Sequence, residues 1–173
     1  LTLRQLTMEE SGSNLLTQSK MEVLFSDYKD YKEDEDVMVP VVGIFSHYSE
    51  DVSREYVKKM LEKSFLEEVV ELLRTRRANA ELHAELYELV LHLSEDASAN
   101  EFFMAQNISA LAICSMREEL EKDYAGMTAE EKTLSSLLVI NLSQTIRRLL
   151  KGREVKAVVP VSLLELFHQA LEV

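Results

Sequence analysis

Three stretches of the chain place apolar residues at helical spacing, and no stretch alternates as a half-buried strand would. Phe65, Leu66, Val69, Val70, Leu72 and Leu73 share one face, with Glu67, Glu68, Glu71 and Arg74 outside it. Leu82, Leu86, Leu89, Val90 and Leu93 repeat the pattern, and Leu134, Leu137, Leu138, Leu142, Ile146 and Leu149 give a longer third stripe. With only 4 Gly and 2 Pro among 173 residues, few positions force a helix to stop. Thr128-Ala129-Glu130-Glu131 reads as a capping box, the Thr128 hydroxyl accepting from Glu131 N–H and the Glu131 carboxylate reaching back to Thr128 N–H. Gly126 and Gly152 read as helix stops, and Pro40 and Pro160 as openers of apolar segments. Val155 to Val161 is the one β-branched run, and Pro160 interrupts it. The expected class is all-α.

The composition narrows function more than it identifies it. An apolar share of 46% suits one domain with a buried core and excludes a disordered chain. The single Cys, Cys114, excludes an internal disulfide framework and fits a reducing compartment, the cytoplasm or the nucleus. A net charge of −12 argues against nucleic acid as a partner, because phosphates call for basic surface. The acidity is uneven: 12 acids against 7 bases in residues 1–60, 12 against 5 in 61–120, and 7 against 7 in 121–173. A cationic partner is therefore expected on the first two-thirds. The Glu33–Asp36 run reads as a solvated loop; with no Gly between Gly12 and Gly43 it is not a calcium loop. The run Val37 to Ser49 is too short to cross a membrane, and residues 1–10 lack the apolar centre of a signal peptide. A start at Leu1 fits a piece of a longer chain.

A weak internal repeat accompanies the stripes. Ser49-Glu50-Asp51 recurs as Ser94-Glu95-Asp96, each after an apolar helix end. Each is followed by a short helix with aromatics, Tyr56 in one and Phe102 and Phe103 in the other, and then by another apolar helix. Leu138-Val139-Ile140-Asn141-Leu142-Ser143 matches Leu89-Val90-Leu91-His92-Leu93-Ser94 as a third copy. A period of about 40–47 residues made only of helices is the mark of armadillo and HEAT arrays. The stretch Phe65–Leu73, then Ala80–Leu86, then Leu89–Ser94 resembles an armadillo third helix followed by the first and second helices of the next repeat. The resemblance covers residues 37–173 loosely and 61–116 well.

That resemblance implies a right-handed α-solenoid of about three armadillo-like repeats over residues 37–173, with residues 1–36 as a capping segment or a partner-docking arm. Residues 41–49, 84–93 and 136–145 would be equivalent helices, and 65–74, 108–117 and 161–171 their successors. It implies a non-enzymatic interaction or scaffold module whose concave face carries Glu67, Glu68, Glu71 and Arg74, then Ser109, Ala112 and Arg117, then Glu165, His168 and Gln169. A basic or amphipathic partner segment suits that face. The alternative is a regulatory domain of the diaphanous-formin kind, binding a small GTPase and an autoinhibitory helix. The resemblance gives Asn141 a second reading, as a clamp on a bound peptide backbone.

Residues that could carry chemistry are sparse. His83 and His92 are nine positions apart, on opposite sides of a helix, and neither His47 nor His168 adds a ligand spacing, so solvent-edge histidines and no metal are expected. Cys114, among apolar neighbours, is expected in the core rather than as a reactive thiol. No nucleophile elbow, phosphate loop or dinucleotide fingerprint occurs, so neither enzyme activity nor a cofactor is expected. Asn141 and Thr145 fall in the middle of the third apolar stripe, where a buried amide needs partners; backbone groups of a neighbouring helix would supply them.

Overall fold

The computed structural model describes residues 18–31, 33–50 and 55–151. Among these residues there is no strand; eight α-helices and one 3-10 turn make up the secondary structure. They are α1 (Gln18–Asp30), α2 (Glu35–Tyr48), α3 (Glu55–Met60), α4 (Lys63–Thr75), α5 (Ala80–Leu93), α6 (Ala97–Ala105), α7 (Ile108–Leu120) and, after the turn Tyr124–Gly126, α8 (Ala129–Leu149). Gly152, Val155–Val161 and the expected helix 161–171 lie outside the described residues, as do Glu165, His168 and Gln169.

Helix starts follow local chemistry. The Asn79 side chain accepts from Leu82 N–H, and Asp96 from Ser98 and Ala99 N–H. Both bonds of the capping box at Thr128 and Glu131 are present. Asn107, before α7, is in the left-handed region with φ 57°, a conformation Asn tolerates better than most residues. It turns the chain sharply between α6 and α7.

Two starts differ from expectation. Only the first half of the acidic run is loop: Glu33 lies in an exposed turn, Asp34 accepts from Asp36 N–H as N-cap, and Glu35 and Asp36 form the first turn of α2. Carboxylates there oppose the positive end of the helix dipole while staying in water. Pro40 therefore lies inside α2 rather than opening it, at the loss of one helical hydrogen bond. Gly126 closes the 3-10 turn, whereas α7 stops at Leu120 without a glycine.

The core forms around α5, which packs against α2 on one side and α8 on another. The six apolar residues of the α4 stripe and the five of the α5 stripe are all buried. In α8, Leu138, Leu142 and Leu149 are buried, Leu134 and Ile146 are half-buried, and Leu137 is exposed. The α8 contact face is thus narrower than its apolar face. Helix α1 joins through Phe25 and Tyr28. Phe25 stacks on Phe45 at 4.8 Å, and Phe65 meets Phe25 and Phe45 edge-on, both at 5.4 Å. Such ring pairs add about 0.5–1.5 kcal/mol each beyond burial. Gly43 lets α5 close on α2: a Cβ there would lie 3.1 Å from the buried Glu85 carboxylate.

Candidate functional site

The sequence Arg74-Thr75-Arg76-Arg77 ends α4 and opens the turn to α5, and each arginine reaches a different neighbour. Arg74 donates to the Gln106 carbonyl at 2.8 Å, at the α6–α7 junction. Arg76 pairs with Glu33 and, at 3.6 Å, with Glu35 at the start of α2. Arg77 donates to both carboxylate oxygens of Glu118 on α7, each at 2.7 Å. Both bonds come from the one nitrogen Nη2, a charge-assisted contact to the carboxylate. Three cations in four residues thus join consecutive helix groups.

Glu67 and Glu71 stand exposed on the outer face of α4, one turn apart. Glu67 lies 3.5 Å from Lys63. Glu68 is half-buried; burial first, then the Glu68 and Glu71 carboxylates, push the Tyr28 phenol well above its usual range. Next to Glu68, between α1, α3 and α4, lies a hollow of about 280 Å³ lined by Phe25, Tyr28, Phe65, Lys29, Lys59 and Glu62. The Lys59 ammonium sits 4.9 Å over the Phe25 ring. An aromatic floor beside carboxylates can hold an ammonium or guanidinium group.

On α7 the expected surface is less coherent. Ser109 is half-buried, and exposed Arg117 pairs with Glu121 at 2.7 Å. Ala112, expected to face a partner, is fully buried and packs in the core. It lies on the stripe of Ile108, Ser115, Met116 and Glu119, the face that α7 buries. The structure thus leaves Glu67, Glu68, Glu71 and Arg74 together on α4, with Ser109 and Arg117 on a separate helix.

Two other expectations are corrected. Cys114 is exposed, not in the core, because it lies well round the helix from the Ala112–Met116 contact stripe. His83 is not at a solvent edge. It is 3% exposed, and its Nε2 has no hydrogen-bond partner among the described residues. Burial, then the Arg77 charge, lower its pKa, opposed by the Leu73 carbonyl. Burial likewise pushes the Tyr87 phenol up to about 12, opposed by its bond to Ser115.

Asn141 and Thr145 are buried as their positions predict. Asn141 Nδ2 donates to Ala84 O at 3.0 Å, and Thr145 Oγ1 to Tyr87 O at 2.9 Å. These are backbone partners on the neighbouring helix, so Asn141 is spent inside the fold and is not free to clamp a peptide. Phe103 is fully buried and Phe102 half-buried. Among the described residues no group of three or more His, Cys, Asp or Glu is placed to hold a metal ion, and no helix is long and apolar enough to cross a membrane.

Sequence reading missed Tyr28 and Lys59 as parts of the hollow beside Glu68. Phe25 and Tyr28, three apart, gave the one available signal for a buried face on α1. No known protein family, curated protein or solved structure matches the chain.

Proposed function

We propose that the chain is a non-enzymatic protein-interaction module of the cytoplasm or nucleus. In this reading it is an armadillo-like right-handed stack of about three repeats, holding a basic or amphipathic partner segment on its concave face, at the side of α4 that carries Glu67, Glu68 and Glu71. One observation supports it above others. Helices α2 and α5 both have 14 residues, begin 45 positions apart, and are each followed by a short helix and then a 13-residue helix. Helix α8 packs on α5 as α5 packs on α2. Repeated units that bury their faces only against their neighbours are the logic of a solenoid.

The docking face rests on Glu67, Glu68 and Glu71, with the aromatic hollow alongside for an anchoring cation. The test is capture from a cell extract by the intact chain and by Glu67→Lys/Glu68→Lys/Glu71→Lys, quantified by mass spectrometry. A protein enriched by the first and lost with the second is the expected result. Equal enrichment by both chains removes this face from the reading.

A further inference from the structure

A second groove, built from other helices, has the opposite charge. It lies along the C-terminal halves of α5 and α8, with a volume of about 670 Å³, and is lined by Arg147, Arg148 and Lys151 together with Glu50, Glu95 and His92. That volume falls within the about 300–1,000 Å³ common for ligand-holding clefts. The three cations come from the charge-balanced last third of the chain and outnumber the two groove carboxylates, Glu50 and Glu95.

Not all of these charges are engaged. Arg148 lies 3.0 Å from Glu95, and Glu50 lies 3.4 Å from His47. Arg147 and Lys151 are exposed, and their side chains make no ion pair or hydrogen bond among the described residues. Cations in the last turn of a helix offset its dipole wherever they sit around the axis. Here Arg147 and Arg148, about 100° apart in the last turn of α8, and Lys151, two residues past its end, line the same groove. His92 adds an oriented polar group. Its Nδ1 is 2.9 Å from the Ser46 carbonyl, which can only accept, so Nδ1 carries the hydrogen; Nε2 of the neutral ring is then an acceptor, and carboxylate contacts fall to the three cations.

We propose that this groove binds an acidic segment of a partner protein. One carboxylate sits between Arg147 and Lys151, and a second takes the place of Glu95 on Arg148. Arginine favours carboxylates because two parallel N–H donors match two oxygens. A short acidic segment suits the site better than nucleic acid, since three cations on an acidic molecule neutralise few phosphates.

The test uses the whole 173-residue chain and a fluorescently labelled hexaglutamate peptide, read by anisotropy. The intact chain is expected to bind, more weakly as salt rises. Arg147→Glu/Lys151→Glu should lose at least about tenfold in affinity, and Glu95→Gln, which releases Arg148, should bind more tightly. Thermal melting of the double variant should match the parent. If it does not, Arg147→Gln/Lys151→Gln replaces it, with an intermediate loss expected. The proposal fails if hexaglutamate does not bind, or if the variants bind like the parent. It also fails if a single-stranded oligonucleotide of equal charge binds more tightly than the peptide and is lost with the same reversals.

Discussion

Asn141 and Thr145 join α8 to α5 by side-chain bonds to backbone carbonyls, in a contact where both residues are buried. Thr145→Val keeps the shape and removes one hydrogen bond, so about 1 kcal/mol should be lost. Asn141→Ala removes a bond and opens space, and should cost about 1–3 kcal/mol. Urea midpoints of the two variants measure this order. His83 contributes a pH dependence. The unfolded chain takes up a proton at this side chain as pH falls through about 6.5, the folded chain only at lower pH. Stability from neutral His83 is therefore complete above about pH 6.5 and declines as pH falls below it. Melting temperature should drop more steeply from pH 7.5 to 5.5 for the parent than for His83→Gln; parallel curves would contradict the assignment. Cys114 should react promptly with a thiol reagent in the native protein, since it is exposed on α7. The apolar letters around it suggested burial, whereas α7 buries the Ile108–Ala112–Met116 stripe and leaves Cys114 well round the helix from it.

Element by element, the clearest parts are those where one chemical rule acts alone. The α4 and α5 stripes are buried as their spacing requires, and the α8 capping box forms both bonds. Leu72→Ala or Leu89→Ala should cost about 2–5 kcal/mol through lost burial and a residual cavity, against about 0–0.5 kcal/mol for exposed Glu71→Ala. Equal shifts in denaturation midpoint would mean that the α4 face is assigned wrongly. Thr128→Ala should cost about 1 kcal/mol by removing the α8 cap. Where two rules compete, one residue type does not decide. Proline disfavours a helix interior, yet the Asp34 cap and its carboxylate-rich first turn start α2 ahead of Pro40. Likewise Leu137 is as apolar as its stripe neighbours, but α5 and α7 contact only part of the α8 surface.

For the whole molecule, the uneven charge makes the proposed docking on α4 testable by salt. Association with a cationic segment on α4 should slow as salt rises, acting on the on-rate more than the off-rate. Glu67→Lys/Glu68→Lys/Glu71→Lys should weaken it, and Glu154→Lys/Glu172→Lys should not. Stopped-flow association rates across a salt series check this; a rate flat with salt, with affinity lost on Phe102→Ala instead, would favour apolar docking. The basic groove at the end of α8 should show the same salt trend for an acidic ligand.

Periodicity in the sequence determined that the described chain is helical, which faces of α4 and α5 are buried, and that Asn141 and Thr145 need internal partners. Those results follow from spacing along one helix, where the geometry is fixed at about 3.6 residues per turn. The joining of Arg74, Arg76 and Arg77 to three separate neighbours, the burial of His83 and Ala112, the aromatic hollow beside Glu68 and the basic groove were decided by tertiary structure. Each depends on residues about 30–50 positions apart meeting across helix contacts, such as Arg76 with Glu33 and Arg148 with Glu95. A single helix can show which of its faces is apolar, but how much of that face is covered depends on the size and position of the helices packed against it.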